Sequence, residues 1–354
     1  MSIEKSDNQT TEPLQSSDTT KNTVTIAEHN APPNISQSHL KITVLIEDTT
    51  DCDLESENGL SLYIEYNDKN ILFDAGRGGL FAKNAELMLI DLSEIDFGVL
   101  SHAHCNHSDG FTEFFLWNEN ASVYAREEIK EEYYSSNINA EHMCMDNSSI
   151  ASKSWEYDLP YHDMPSRKGI CEDVRNSLDR FILISQNQKI DEGVFLVGHD
   201  TPHLDEFGKK QYLYRYETNS EYSYDNNCPF IPDSFKHEQC LVLDTPKGLV
   251  IFSGCSHGGV INTIREAKKF CGNKPIYAYI GGFHMKKIKY EKYGIYEDCI
   301  FSDDEITLIC NFIKKENIQH IYTGHCTGEI GFKKLKEHLG DRVHRLTTGT
   351  EFKL

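Results

Sequence analysis

The sequence lacks the features that mark secreted and membrane proteins. It contains no run of about 18 apolar residues, the length that a membrane-spanning helix needs. Residues 1–30 are polar and contain no apolar core of a secretory signal. The 11 cysteines are odd in number and include no C-x-x-C pair, so free thiols are favoured over a disulfide framework. These absences predict a cytoplasmic protein without a membrane partner.

Positive charge is also scarce. The chain of 354 residues carries 35 lysines and arginines against 56 aspartates and glutamates, a formal net charge of −21. We expect no nucleic-acid partner, because nothing broad on such a surface would neutralise phosphates. A single pocket can still be positive, and residues 286–292 contain four lysines. This cluster predicts either a solvated loop or a rim that receives a small anionic substrate.

Several common catalytic motifs are missing. There is no serine elbow and no dinucleotide fingerprint, and the glycine-rich residues 76–79 are too short for a P-loop and lack its lysine. The chain does have a concentration of histidine: His102, His104 and His107 follow an apolar run that predicts a buried strand. Alternate residues of a strand point to one side, and a turn lets the third histidine return to that side. Since imidazole suits zinc and iron, this pattern predicts a metal site.

Residues 101–110 resemble the His-x-His-x-Asp-His signature of the metallo-β-lactamase superfamily, with Asn106 in place of the aspartate. Residues 71–76 resemble the strand and the Asp-x-Gly turn that precede this signature. Three further short motifs, at residues 254–259, 280–284 and 324–328, are similar to those of one branch, the dihydropterin–ribofuranosylaminobenzene phosphate synthase-like proteins. The resemblance extends from about residue 42 to residue 354. It implies an α/β (α+β) fold, a four-layer αββα sandwich with metals at one edge of the sheets.

The resemblance also implies the metal ligands. His102, His104 and His257 would hold one ion, and His107, His325 and residue 106 a second. The expected metal is Zn²⁺, with one or two ions, and Fe, Mn or Mg are the alternatives. Asp74 is expected to orient a ligand imidazole or a metal-bound water. His284 is assigned either to ligation or to substrate binding and proton transfer, and His199 is a further candidate ligand.

Asn106 makes the second position uncertain in the sequence. An amide offers a neutral carbonyl oxygen, which is a poorer ligand for a dication than a carboxylate. We therefore predict one tightly held metal and a weak or absent second one, unless Asp109 swings in as a substitute. Cys105, Cys255 and Cys326 each lie within two residues of a motif histidine. We interpret them as small buried neighbours rather than as zinc thiolates.

Composition and the resemblance together predict the domain organisation. Residues 1–40 are polar and predict a disordered leader. The resemblance implies that residues 41–354 form one metallo-β-lactamase-like domain. Long loops are predicted at about 135–180, 205–236 and 285–302. Such stretches are binding loops, lids or disordered segments, and at least one of the first two is expected to cover the substrate. A helix is predicted from Glu127 to Tyr134. The oligomeric state is not specified by the sequence.

Three functions are compatible with these observations. The first is a metal-dependent hydrolase that activates water against a small anionic substrate resembling a phosphate ester. The second is a transferase that resembles the pterin-condensing synthase and joins a dihydropterin to a ribosylated aminobenzoate. The third is a non-catalytic ligand-binding protein whose metal site has degenerated at Asn106.

Overall fold

A computed structural model of the chain describes residues 39–136, 165–217, 230–291 and 294–354. The predicted leader, apart from its last two residues, and most of the first predicted loop lie outside the described residues. None of the described helices is long and apolar enough to cross a membrane.

The amino-terminal half of the domain builds a seven-stranded sheet, in which the strand order is β20-β1-β2-β3-β4-β5-β8. A hairpin joins β2 to β3, and β3, β4, β5 and β8 run parallel. The strands are β1 (Leu40–Ile46), β2 (Ser61–Tyr66), β3 (Lys69–Phe73), β4 (Phe97–Val99), β5 (Ser122–Arg126), β8 (Phe181–Ile184) and β20 (Glu351–Lys353).

The carboxyl-terminal half repeats this plan in a second seven-stranded sheet, ordered β19-β18-β15-β14-β13-β10-β9. A hairpin joins β13 to β14, and β14, β15, β18 and β19 run parallel. The strands are β9 (Gln188–Asp191), β10 (Val194–Gly198), β13 (Gln239–Thr245), β14 (Gly248–Ser253), β15 (Ile276–Gly281), β18 (His320–Thr323) and β19 (Val343–Arg345).

Helices cover the outer faces of the two sheets. The described α-helices are α1 (Leu80–Leu87), α2 (Cys105–Ser108), α3 (Phe111–Trp117), α4 (Glu172–Asn176), α5 (Leu204–Gln211), α6 (Val260–Phe270), α7 (Asp303–Lys315) and α8 (Gly328–Leu339). Short 3-10 turns occupy Leu92–Glu94, Glu127–Lys130, Leu178–Arg180, His325–Thr327 and Gly340–Arg342. One core packs α1 and α3 against the first sheet, another packs α6, α7 and α8 against the second, and a third lies between the sheets. The predicted four-layer αββα sandwich is therefore confirmed.

Local sequence explains these elements. Five of the seven residues in the β1 segment LKITVLI are apolar. Leu40, Ile42 and Val44 pack in the core between the sheets, and Leu45 packs in the core that contains helix α1. Helix α7 begins with a capping box between Ser302 and Glu305, and it buries Ile306, Ile309 and Ile313 at helical spacing. Acidic residues in its first turn and lysines in its last turn complement the helix dipole.

Several predicted segments differ from the structure. Residues 127–134 form a 3-10 turn followed by β6 (Glu132–Ser135), which pairs with β11 (Leu213–Tyr216) instead of continuing a helix. Together with β7 (Ser166–Arg167) and β12 (Phe230–Pro232) these strands form a small third sheet. The segment 205–236 thus contains helix α5 and two strands, and 285–302 contains a hairpin of β16 (Lys286–Glu291) and β17 (Gly294–Cys299).

Candidate metal centre

The candidate metal-binding side chains follow strands that end at one edge of the sandwich. In each sheet the parallel strands run in one direction. One further strand is separated from them by a single antiparallel strand and runs in that same direction, so the carboxyl ends of all these strands lie at that edge. The side chains come after β1 (Asp48), β3 (Asp74), β4 (His102, His104, His107), β14 (Cys255, His257), β15 (His284) and β18 (His325). Three of these residues have positive φ: Asp74 at 57°, His284 at 45° and His325 at 47°. Such backbone strain in non-glycine residues is found preferentially at functional sites.

The rings of His102, His104 and His257 form a compact trio. Their centroids are separated by 4.7 Å for His102–His104, 4.6 Å for His104–His257 and 5.0 Å for His102–His257. All three side chains are buried, and the Nε2 atom of each has no hydrogen-bond partner among the described residues. Buried polar nitrogens are nearly always paired. Three unpaired imidazole nitrogens have the donor chemistry that a divalent metal ion needs, and the ligand atoms of His102 and His257 lie within 4.8 Å of one another.

The protonation of the trio suits the same role. Burial lowers the pKa of His102, His104 and His257 well below the usual value, and the neighbouring imidazoles lower it further. The rings are therefore neutral at pH 7. Neutral imidazole is the form that ligates a metal, because one nitrogen keeps its lone pair.

Asp74 determines which ring nitrogen carries the proton in two histidines. Its Oδ2 atom lies 2.7 Å from Nδ1 of His107 and accepts a 2.7 Å hydrogen bond from the Ser101 hydroxyl. The Ser101 oxygen lies 2.7 Å from Nδ1 of His102 and accepts a hydrogen bond from that nitrogen. The Nε2 atoms of both histidines consequently keep their lone pairs. The structure thus places Asp74 behind the rings, where the predicted orienting residue would lie.

Gln211 performs the equivalent task for His257. The Gln211 Oε1 atom lies 2.7 Å from Nδ1 of His257, and its Nε2 atom donates to the His257 carbonyl at 2.7 Å. The Phe235 ring stacks on the His257 ring with centroids 5.2 Å apart. The His257 ring is therefore held on two sides, and its Nε2 atom remains available as a metal donor in the trio.

Glu238 and His199 form a buried charged group that supports the loop carrying His257. Glu238 accepts hydrogen bonds from the backbone N–H groups of His257 at 2.8 Å and Gly258 at 2.9 Å. His199 lies between two carboxylates, 2.6 Å from Glu238 and 2.8 Å from Glu266. Burial lowers the pKa of His199, but these carboxylates outweigh burial and raise it to about 9. His199 is thus occupied as a cation beneath the loop and does not turn a ring nitrogen to the trio.

A second histidine pair lies beside the trio. The rings of His107 and His325 have centroids 4.9 Å apart, and their Nε2 atoms are 3.1 Å apart. The amide nitrogen of Asn106 lies 3.2 Å from the Nε2 atom of His325. The sets that the family resemblance implied for the two ions are therefore brought together in space.

A carboxylate that the sequence analysis missed accompanies this pair. Asp48 Oδ1 lies 2.5 Å from Nδ1 of His325, and Glu47 accepts from the His325 backbone N–H. Burial lowers the pKa of His325, but the Asp48 carboxylate outweighs burial and raises it to about 9. Burial raises the pKa of Asp48, but His325 outweighs this effect and holds it below its usual range. Negative charge therefore reaches the pair from behind the ring rather than from residue 106.

Two predicted candidates have other environments. His284 is half-buried, its ring centroid lies 4.1 Å from that of His257, and its Nδ1 atom has no partner among the described residues. Asp109 instead accepts hydrogen bonds from the Cys171 backbone at 3.0 Å and the Ser108 hydroxyl at 2.9 Å. His284 therefore belongs to the cluster, whereas Asp109 is held away from it and does not replace the missing carboxylate.

For some of the site residues that the sequence analysis missed, the sequence did contain a signal that could have identified them. Asp48 lies two residues after the end of strand β1, so the rule that strand ends share an edge would have indicated it. Ser101 immediately precedes the histidine motif and was not assigned a role. Gln211 had no signal at all, because it lies in a segment that was predicted to be a loop.

The comparisons with known proteins concern the fold and the sequence as a whole. No protein-family model matches the sequence. The chain is 28% identical over 323 residues to the 7,8-dihydropterin-6-methyl-4-(β-D-ribofuranosyl)-aminobenzene-5'-phosphate synthase of Methanocaldococcus jannaschii, covering 88% of this chain and 95% of the synthase. It is 25% identical over 298 residues to an uncharacterized protein of the same archaeon, covering 84% and 94% of the two chains. The solved structure of a metal-dependent hydrolase of the β-lactamase superfamily matches with a TM-score of 0.64 at 23% identity, covering 89% of this chain and 99% of that one.

The fold and the clusters of histidine, cysteine and aspartate together indicate a metal-binding protein. The chain therefore has the metallo-β-lactamase fold, and its sequence resembles the branch that contains the dihydropterin–ribofuranosylaminobenzene phosphate synthase.

Proposed function

We propose that this protein is a zinc-dependent hydrolase that acts on a small anionic substrate of the phosphate-ester type. The observation that carries the proposal is the trio of His102, His104 and His257, buried and neutral, with unpaired Nε2 atoms. Catalytic zinc sites take three protein ligands and leave one position for water or substrate. When bound, zinc supplies Lewis acidity to a substrate oxygen and lowers the pKa of a water towards about 7.

The remaining residues would prepare this site for hydrolysis. Asp74, Ser101 and Gln211 hold the ligand rings in one tautomer and one orientation, as outer partners of metal ligands do. His284, half-buried and with an unpaired Nδ1 atom, is positioned to hold or deliver a proton beside the trio.

An anionic substrate is supported by local charge. The Lys168 carbonyl accepts from the backbone N–H of Cys105 at 2.7 Å, which places this lysine beside His104. Burial is the main cause of the low pKa of His104, and the Lys168 ammonium lowers it further. Lys286 lies 2.9 Å from Asp48, the partner of His325. Asp48 balances the charge of Lys286, so we infer that Lys168 is the cation that attracts a phosphate group in this otherwise acidic chain.

We also propose a cytoplasmic setting and a small-molecule substrate. All nine cysteines in the described parts of the chain are free thiols, as expected in a reducing compartment.

The test joins metal analysis to turnover. The full chain is purified without added metal, its metals are quantified by elemental analysis, and hydrolysis of bis(p-nitrophenyl) phosphate is measured before and after chelation. We expect bound zinc and turnover that chelation abolishes and zinc restores. A protein that neither retains nor takes up metal would refute the proposal.

A second candidate is a transferase related to the pterin-condensing synthase. It is favoured by the 28% identity over 95% of that enzyme's length. The discriminating assay supplies a dihydropterin diphosphate with a ribosylated aminobenzoate phosphate and measures pyrophosphate release. Release without phosphodiester turnover would favour the transferase, and ligand binding without turnover of either substrate would favour a non-catalytic binding protein.

A further inference from the structure

Cys255 lies at the centre of the histidine cluster. Its side chain is 3% exposed, and its Sγ atom is 3.2 Å from Nε2 of His107. Candidate metal groups, whose ligand atoms all lie within 4.8 Å of one another, include Cys255 three times. It joins His102 with His257, His107 with His325, and His284 with Cys326. Among the described residues, Cys255 is the one that belongs to three such groups.

The turn that carries Cys255 is firmly held. Ser256, the next residue, has φ of 60°. Its hydroxyl lies 2.6 Å from the Gly282 carbonyl and 3.0 Å from the Ser253 hydroxyl, and it also contacts the Tyr279 hydroxyl. The position of the thiol therefore follows from a buried hydrogen-bond network rather than from a loose loop.

The cluster needs a negative charge that its carboxylates do not provide on the metal side. Asp74 and Asp48 are bonded to the Nδ1 atoms of His107 and His325, on the side of each ring away from Nε2. Asn106 is neutral. Two dications about 3.5–4 Å apart repel each other strongly unless an anionic ligand lies between them.

We propose that the Cys255 thiolate is a metal donor shared by the trio and the His107–His325 pair, and that it replaces the charge that Asn106 lacks. This inference rests on the metal-dependent function proposed above. A thiol that coordinates a metal loses its proton, so it contributes one negative charge. The prediction of a weakly bound second metal assumed that no anionic ligand lies at the second metal position. A Cys255 thiolate is such a ligand, so that assumption does not hold. A thiolate donor also selects Zn²⁺ and Co²⁺ over Mg²⁺.

Cobalt is the probe for the test, because a thiolate bound to Co²⁺ gives a charge-transfer band in the near ultraviolet. The full chain is stripped of metal and titrated with Co²⁺. We expect two equivalents and the sulfur band in the wild type. Cys255→Ser should lose the band and bind the second equivalent at least about tenfold more weakly, because a direct ligand should matter at least as much as an outer partner. The first equivalent should remain, held by the trio.

Two cysteine controls identify the donor. Cys326→Ser should keep the band, because Cys326 shares a candidate metal group only with Cys255 and His284 and none with the trio or the His107–His325 pair. Cys105→Ala should also keep it, because Cys105 belongs to none of the candidate metal groups. A band that disappears in Cys326→Ser and persists in Cys255→Ser would overturn the assignment. Cys255→Asp should recover the second equivalent without the band, which shows that loss of binding in Cys255→Ser does not reflect misfolding.

A measurement on the wild type alone makes the inference independent of folding in any variant. X-ray absorption of the zinc-loaded protein should show a sulfur neighbour at about 2.3 Å in addition to nitrogen at about 2.0–2.1 Å. Metal bound by nitrogen and oxygen alone would overturn the inference and leave the metal-dependent function intact. Failure to bind either metal would remove both proposals.

Discussion

His257 is an expected metal ligand. It is also the ligand that the surrounding residues hold in place most extensively. Replacing it by alanine removes one of three ligands from the trio. We expect His257→Ala to retain the first metal equivalent at least about tenfold more weakly, since even outer partners change affinity by that factor. Competition with a chromogenic chelator measures this. The matched control is His338→Ala, which removes an exposed imidazole. Equal affinity in both variants would take His257 out of the site and transfer its role to His284.

Asn106 is the residue at which this chain differs from the superfamily signature. If charge is what the second position needs, then a carboxylate at residue 106 should replace the thiolate of Cys255. We expect Asn106→Asp, made in a Cys255→Ser background, to strengthen binding of the second equivalent at least about tenfold. Asn120→Asp adds the same charge at an exposed turn and should have no effect. An equal response to both substitutions would show that only overall charge matters.

His199 makes a pH prediction, because its pKa is raised from the ordinary value to about 9 by Glu238 and Glu266. A raised pKa in the folded state stabilises the protein fully below about pH 6.5, and this stabilisation is lost as the pH rises through 9. The effect is on the order of 1.4 kcal/mol for each unit by which the pKa is raised.

We therefore expect the free energy of unfolding, measured with urea, to fall between about pH 6.5 and pH 9.5 in the wild type. His199→Gln should show a smaller fall, and His338→Gln should behave as the wild type does. The idea is wrong if His199→Gln loses stability with pH as steeply as the wild type.

At the scale of elements, the site requires the ends of β14 and β15 to approach closely. Gly281, the last residue of β15, has φ of 141°, and a Cβ atom there would lie 1.8 Å from the Ser253 carbonyl oxygen of β14. We expect Gly281→Ala to destabilise the protein by about 2 kcal/mol or more, through both backbone strain and overlap. Gly272→Ala is the control, because its φ is 75° and nothing lies within 4 Å. It should cost only the strain, about 1 kcal/mol, when both are measured by urea unfolding.

The elements also show where local patterns were sufficient. The buried strand predicted before His102 is confirmed as β4, since a run of apolar residues defines it. The predicted helix at 127–134 was wrong because Tyr133 and Tyr134 pair with Arg215 and Tyr214 some 80 residues away. Pairing at that distance overrides local helical spacing and leaves no periodic signal in the sequence.

For the whole molecule, the described domain builds its sheets, its cores and its site from residues 39 onward. The polar leader is therefore predicted to be dispensable for stability and for metal binding. We expect a chain that begins just before Leu40 to keep its melting temperature within a few degrees and to keep its metal content. Calorimetry and elemental analysis of the shortened and full chains measure both. A large drop in melting temperature would show that the leader packs on the domain.

From the sequence, the metallo-β-lactamase fold followed only through the resemblance of its motifs to that superfamily. The sequence by itself determined the three-histidine motif after a buried strand, because spacing along a strand and the residues that follow it are local properties. Only the tertiary structure decided which groups meet. Asp48, Gln211, Glu238 and Cys255 come from four distant segments. Asp48 and Cys255 follow the carboxyl ends of β1 and β14, Glu238 precedes the amino end of the antiparallel β13, and Gln211 ends helix α5, and the fold brings these four ends to one edge. The role of a side chain in such a site depends on distances of a few ångströms between remote segments, and no periodicity in one segment encodes them.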